Sequence, residues 1–211
     1  CAAFISCLAL WRLCRVFIYI PQVPEATAKL FTNISSLGWL SSGSFYLGFA
    51  LVFNEKKAVL KKKSVYLALI LLPLLLISAQ WAGLVVDTYK KESFGWKPIL
   101  AKSPWPWIFV GYFMLFMGTA LREIFQVWRK SPDQRKRKQA RSIFFSMLIS
   151  AAIGLSIDAL LPALGIHRYP NMSNFLALIW AMGLVYAMAR HKFLAIMPGE
   201  IPDNFNPPTL D

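Results

Sequence analysis

The chain has 211 residues, of which 57% are hydrophobic and 16% are charged, and its formal net charge at pH 7 is +13. This composition excludes an ordinary soluble domain, because so much apolar surface could not be kept dispersed in water by so few charges. It is typical of an integral membrane protein.

Six apolar stretches are long enough to be membrane spans, since a bilayer core needs about 20 mostly apolar residues per helix. They are distributed from residue 1 to residue 189, so we predict an all-α, polytopic membrane helix bundle over residues 1–198, followed by a cytoplasmic tail at 199–211. In chain order, the predicted spans are about 1–20, 30–53, 65–86, 105–127, 142–164 and 174–189.

The first span carries Arg12 and Arg15 inside its apolar run. A charge within lipid is energetically expensive, so such residues are usually paired or functional. The span has no basic leader and no small-residue cleavage pattern, which distinguishes it from a secretory signal. We therefore expect the chain to begin inside a larger protein, with a further helix before it.

The second span contains the small-residue sequence GWLSSGSFYLG at 38–48. Small residues allow helices to approach each other closely in lipid. Because this stretch lies wholly inside a span, we predict that it serves helix packing rather than phosphate binding. The predicted packing residues are Gly38, Ser42, Gly43 and Gly48.

The basic residues lie unequally on the two sides of the predicted bundle. Loop 54–63 holds five, the stretch 122–141 holds eight and the end of the last span holds two, against six on the opposite side. Loops rich in Lys and Arg stay in the cytoplasm, so we predict a cytoplasmic C-terminus. A basic run can bind nucleic acid. Between two spans it instead indicates topology and contact with anionic lipid, and no nucleic-acid partner is expected.

The fifth span contributes an acidic residue, Asp158, at a depth that matches Arg12 and Arg15. At about 1.5 Å per residue, all three lie roughly 7–12 Å from the outer surface. Matched depth and opposite sign predict an ion pair between Asp158 and one of the arginines. Alternatively, the three charges line an outward-facing polar pocket. Its other predicted members are Gln80, Asp87, Tyr112 and Ser156.

The last span ends unusually, because its apolar run stops at a basic triplet and then resumes. Residues 160–198 read LLPALGIHRYPNMSNFLALIWAMGLVYAMARHKFLAIMP. They contain a Pro-x-x-Gly at the outer end of one helix, a short turn with proline, an apolar final helix and an aromatic-Ala-basic-aromatic-Leu exit. This pattern resembles the N-terminal seven-helix sensor region of bacterial histidine kinases and of some diguanylate cyclases.

The resemblance extends from about residue 30 to residue 198 and implies a seven-helix sensor, of which this chain holds six helices. It also implies that the final helix passes a signal to a downstream cytoplasmic signalling domain. The residues at this exit are Arg190, His191, Lys192 and Phe193. The few residues after 198 could not form a kinase domain, so we expect no catalytic activity in this chain.

Two functions remain open at this point. The first is a membrane sensor domain, and the second is an accessory subunit of a larger membrane complex, held by helix packing and lipid. Both place the chain in the bacterial cytoplasmic membrane. Expected partners are lipids and either other membrane chains or a second copy. No cofactor or metal site is evident, because the two histidines, His167 and His191, lie at opposite ends of the last predicted helix.

Overall fold

The computed structural model describes residues 2–156 together with residues 182, 183 and 186. The described chain is helical except for one pair of strands. Its helices are α1 (Ala2–Ile18), α2 (Glu25–Trp39), α3 (Ser42–Phe53), α4 (Lys57–Leu60), α5 (Lys63–Trp81), α6 (Trp105–Lys130) and α7 (Gln134–Leu155). Its strands are β1 (Val86–Glu92) and β2 (Gly95–Leu100).

Three helical stretches among the described residues are long and apolar enough to cross a membrane. They are Glu25–Phe53, Lys63–Trp81 and Trp105–Lys130, which correspond to the second, third and fourth predicted spans. The predominantly helical, membrane-type fold is therefore confirmed. The total of six spans stays a prediction, because most of the last one lies outside the described residues.

The second predicted span is two helices rather than one, with a break at Leu40 and Ser41 between α2 and α3. Serine hydroxyls in this region bond back to nearby carbonyl groups, which competes with the regular helical ladder. Ser41 donates to the carbonyl oxygen of Leu37, and Ser42 donates to that of Trp39 at 2.7 Å. The serine run that suggested close packing therefore coincides with a change of helix.

The chain divides into two compact units, residues 1–127 and residues 128–211. In the second unit, the side chain of Asp133 caps α7 by accepting a hydrogen bond from the Arg135 amide at 2.8 Å. The Trp128 ring packs against Phe144 and Phe145, with both pairs of ring centroids 5.6 Å apart. These contacts close the short turn between the end of α6 and the start of α7.

The first unit has an aromatic and aliphatic core at the junction of α2, α3, α5 and α6. Its buried members are Leu40, Leu76, Tyr112 and Phe116. The Tyr112 hydroxyl bonds to both the backbone amide and the hydroxyl of Ser44, each at 2.9 Å. The one polar group of this core therefore has partners on α3, as a buried hydroxyl requires.

The loop after α5 forms a β-hairpin, which the all-α prediction did not include. Strands β1 and β2 are antiparallel, with Tyr89 opposite Pro98 and Lys91 opposite Trp96. In β1, Val86 and Tyr89 are buried, and each is followed by two exposed polar residues. We call the side of the first unit that carries these strands the hairpin end.

A tight turn at the C-terminal end of α5 connects this helix to the hairpin. Gly83 has a φ of +75°, the left-handed conformation that glycine adopts without steric cost. The Gly83 amide bonds to the Gln80 carbonyl and the Leu84 amide to the Ala79 carbonyl, each at 2.9 Å. This paired pattern ends a helix while satisfying its last carbonyl groups, and it turns β1 back toward α2.

Candidate functional site

Helices α1 and α2 cross in close contact near the middle of α1. A β-carbon added at Gly38 would lie 2.5 Å from the Cys7 carbonyl oxygen and 2.6 Å from the Trp11 β-carbon. No other residue type fits without separating the two helices. The glycine therefore allows one face of α1 to be buried directly against α2.

Three hydrogen-bond donors follow that face at four-residue spacing, two within α1 and the third in the turn directly after Ile18. They are Trp11, Arg15 and Tyr19. Arg15 is only 7% exposed. The buried Trp11 Nε1, the Arg15 Nε and Nη1, and the Tyr19 hydroxyl make no hydrogen bond to any residue that the structure describes.

The hairpin adds a fourth donor, Tyr89 of β1. The positive charge of Arg15 is one of the charges that act electrostatically on the Tyr89 hydroxyl. That hydroxyl lies beside Thr32, but it makes no hydrogen bond of ordinary geometry within the described chain, and Thr32 donates instead to the Ala28 carbonyl at 2.9 Å. Burial raises the pKa of Tyr89, so the hydroxyl remains a neutral donor at physiological pH. We call Trp11, Arg15, Tyr19 and Tyr89 the donor cluster.

The turn of the hairpin is held directly on the end of α1. Gly95 has a φ of +116°, and a β-carbon there would lie 2.6 Å from the Tyr19 Cα. The Trp96 indole N–H donates to the Val23 carbonyl at 2.7 Å. The Phe94 ring meets the Tyr19 ring edge to face, with centroids 6.1 Å apart. The hairpin and the α1–α2 connection are therefore joined at several points around the donor cluster.

A buried glutamine joins the hairpin to two further helices. Gln80 of α5 is 1% exposed, and its Nε2 donates to the Asn33 Oδ1 of α2 at 2.9 Å. Its Oε1 accepts the Val86 amide of β1 at 3.1 Å. One side chain therefore links α5, α2 and β1, with both ends of its amide satisfied.

A second polar group lies at the opposite end of the first unit, at the start of the 54–63 loop. Glu123 of α6 is 7% exposed. One of its carboxylate oxygens accepts from the Asn54 Nδ2 at 2.6 Å and lies 3.1 Å from the Lys56 Nζ. Lys56 also donates to the Gln126 side chain at 3.4 Å. We call Asn54, Lys56 and Glu123 the acid cluster.

The chain matches the family described as the N-terminal 7TM region of histidine kinase over residues 1–198. The chain belongs to this family. The resemblance drawn from the final helix and its exit is thereby confirmed, and it extends to the N-terminal residues as well. No curated protein and no solved structure matches the chain. The family is a sensor region of a histidine kinase rather than its catalytic part.

The charged residues predicted to form an ion pair or pocket differ in their surroundings. The Arg12 guanidinium carbon lies 4.1 Å from the centre of the Trp11 ring, whereas Arg15 is buried in the donor cluster. Asp158 lies outside the described residues. Its pairing with either arginine therefore stays a prediction.

The four predicted pocket residues occupy different surroundings. Gln80 is buried beside the hairpin, and Asp87 is exposed and accepts from the Thr88 hydroxyl at 2.6 Å. The Tyr112 hydroxyl is engaged with Ser44 in the core. Ser156 belongs to the second unit and donates to the Ala152 carbonyl at 2.8 Å. Of the four, Gln80 is the one with a direct hydrogen bond to the hairpin backbone.

The predicted packing residues also differ in what they contact. Gly38 lies at the α1–α2 crossing, and a β-carbon at Gly43 would lie 3.1 Å from the Tyr112 ring. The Ser42 hydroxyl donates to the Trp39 carbonyl, three residues earlier in the chain. A β-carbon at Gly48 would meet nothing within 4 Å in the part of the chain that is described. The exit residues 190–193 lie outside the described residues.

Sequence reasoning missed several polar residues of the sensor region. Tyr19 and Tyr89 were not considered as donors, and Asn33 was read only as part of a span. The spacing of Trp11, Arg15 and Tyr19 is a helical signal that could have revealed the α1 face. The approach of Tyr89 depends on a hairpin whose pairing the sequence pattern did not predict. Within the described residues, no group of three or more His, Cys, Asp or Glu could hold a metal ion.

Proposed function

We propose that this chain receives a signal at its hairpin end and passes it through its last helix to a cytoplasmic histidine kinase. Membership of the sensor family over residues 1–198 is the observation that carries the proposal. The donor cluster supports the choice of the hairpin end as the receiving site. It combines buried polar side chains with the hairpin, a surface element that can respond to a ligand outside the cell.

The contacts of the hairpin couple this end to the helices of the bundle, so that a displacement of the hairpin can displace them. Gly95 and Trp96 hold the hairpin on the end of α1 and on the connection to α2. Gln80 ties β1 to α5 and α2. A ligand that binds one arrangement of these elements better than another shifts the equilibrium between them. Small displacements of packed helices are a common form of such a switch.

The distribution of basic residues supports the orientation that this function needs. Loop 54–63 holds five lysines and the stretch 122–141 holds eight lysines and arginines, which favours a cytoplasmic position for both. The hairpin then faces the outside of the cell. The same orientation places the exit after the last predicted span in the cytoplasm, where a kinase would follow.

Helical phase is the property that tests transmission through the last helix. Residues 1–198 would be fused to the cytoplasmic part of a histidine kinase, with insertions placed directly after Phe193. Inserting two residues turns a continuous helix by about 200°, whereas inserting seven adds nearly two full turns. We expect the two-residue insertion to change autophosphorylation in membranes several-fold and the seven-residue insertion to restore it.

The same two insertions placed at the C-terminus of the fused kinase serve as the control for added length. Equal autophosphorylation with all insertions after Phe193 would contradict transmission by the last helix. That result would favour the accessory subunit, whose function depends on packing rather than on the phase of one helix.

A further inference from the structure

The donor cluster has an imbalance of chemical groups. Its four side chains supply N–H and O–H donors and one positive charge. In the described part of the chain, no acceptor is hydrogen-bonded to the Arg15 Nε or Nη1, to the Trp11 indole or to either tyrosine hydroxyl. Buried donors are almost always satisfied, so this concentration indicates that an acceptor belongs among them.

The nearby acidic side chains do not fill this role. Glu25 and Asp87 influence Tyr89 electrostatically, but both are exposed to solvent. Asp87 accepts instead from its neighbour Thr88. The acceptor that matches Arg15 must therefore come from outside the described residues.

The donors define the chemistry of this acceptor. A guanidinium is permanently charged and presents a planar fork that binds two oxygens of a carboxylate or a phosphate. Tyr19, directly after α1, and Tyr89 of the hairpin add neutral hydroxyl donors. A negatively charged group with two or more oxygens satisfies both the charge and the hydrogen bonds, which a neutral carbonyl group would not do.

We propose that Arg15, with the hydroxyls of Tyr19 and Tyr89, binds an anionic oxygen group, a carboxylate or a phosphate, at the hairpin end. Such a group can be supplied by a solute outside the cell or by the headgroup of an anionic phospholipid. The inference deepens the proposed sensor function and rests on it for its biological meaning. Binding itself is measured without the kinase, so the two can fail separately.

Thermal unfolding of the purified chain tests the binding. Two arms use neutral detergent at constant ionic strength, with sodium acetate or inorganic phosphate replacing chloride. A third arm compares bilayers of phosphatidylcholine alone with bilayers that also contain phosphatidylglycerol. We expect at least one anion to raise the unfolding midpoint, because a ligand that binds only the folded state stabilises it.

The decisive variant is Arg15→Met, with Lys29→Met as the matched control. Lys29 is an exposed cation on α2, so its loss removes the same charge without touching a buried group. Arg15→Met is expected to weaken anion binding roughly 10- to 100-fold, as loss of hydrogen bonds to a charged group does. Lys29→Met should retain the wild-type affinity. Arg15→Lys keeps the charge without the fork, and it provides an intermediate affinity to measure if the methionine variant does not fold.

The arms also identify the source of the anion. A response to acetate or phosphate indicates a solute, and a response confined to phosphatidylglycerol indicates a lipid headgroup; both support the proposal when Arg15→Met abolishes them. No response in any arm, or an equal response in Arg15→Met, overturns it.

Asp158 is the acceptor within the chain that competes with this proposal. A double-mutant cycle of Arg15→Met and Asp158→Asn measures their coupling in unfolding experiments. Additive effects support an external anion. Strong favourable coupling would overturn the proposal, because Arg15 would then already be paired inside the bundle.

Discussion

The buried polar groups at the two ends of the first unit differ in whether they have hydrogen-bond partners. In the acid cluster, Glu123 accepts from Asn54 and is paired with Lys56, so the buried carboxylate is neutralised and hydrogen-bonded. In the donor cluster, Arg15 is as deeply buried, yet its Nε and Nη1 find no acceptor in the described chain. The buried carboxylate therefore has both a hydrogen-bond donor and a counter-charge, whereas the buried guanidinium has no hydrogen-bond acceptor among the described residues.

The difference separates a structural polar group from a candidate binding site. Breaking a satisfied buried network leaves partners without hydrogen bonds and lowers stability. Removing a buried charge that has no partner also removes its desolvation penalty, which can leave stability unchanged or raise it. Substitution of Glu123 should therefore lower stability, whereas substitution of Arg15 should leave it unchanged or raise it, even though the two residues are equally buried.

The largest loss of stability is expected for a substitution at Gln80. This residue tests whether the hydrogen-bond partners of a buried group, rather than the end of the unit at which it lies, determine the change in stability. Gln80 lies at the hairpin end but is fully satisfied, so it should behave like the acid cluster. Gln80→Leu leaves the Asn33 Oδ1 and the Val86 amide without their partner. With about 1–3 kcal/mol for each of the two orphaned groups, the free energy of unfolding should fall by roughly 2–6 kcal/mol.

Unfolding of the purified protein in detergent, followed by tryptophan fluorescence, measures this change. Ser78→Ala on the same helix is the control, since its exposed hydroxyl bonds only to the Leu74 carbonyl. If both variants lose the same small amount of stability, the link between α5, α2 and β1 contributes little.

A smaller loss is expected in the acid cluster. Glu123→Ala removes the acceptor of Asn54 and the counter-charge of Lys56. Because the Lys56 side chain is 36% exposed, the lysine can be rehydrated, and we expect a loss of about 1–3 kcal/mol. The same unfolding measurement applies, with the exposed neighbour Arg122→Ala as control. An unchanged midpoint for Glu123→Ala would remove the contrast between the two ends.

Part of this account could be predicted from the sequence. Long apolar runs predicted the helical spans, because the thickness of the bilayer sets their length. Arg15 stood out because a charge is rare inside an apolar helix. The final helix and its exit carried enough pattern to indicate the sensor family.

The rest depended on contacts between residues far apart in the chain. The hairpin that carries Tyr89 reaches the end of α1 at Gly95, where an added β-carbon would lie 2.6 Å from the Tyr19 Cα, and Gln80 meets Asn33 across 47 positions. Strand pairing in a charged loop gives a weak sequence signal, since a short hairpin with one buried face mixes apolar and polar residues. No sequence pattern indicated the partners of Glu123, because Asn54 and Lys56 follow a different helix.

The stability of Arg15→Met in the absence of added anion tests the central claim most directly. The claim is that an external anion rather than another side chain of the protein is the partner of Arg15, so the variant should unfold at the same midpoint as the wild type, or at a higher one, in neutral detergent with chloride as the only anion. The protein with Glu123→Ala, measured beside it, should unfold several degrees lower. A midpoint for Arg15→Met that falls as far as that of Glu123→Ala would show that Arg15 is already paired within the chain, and it would contradict the account.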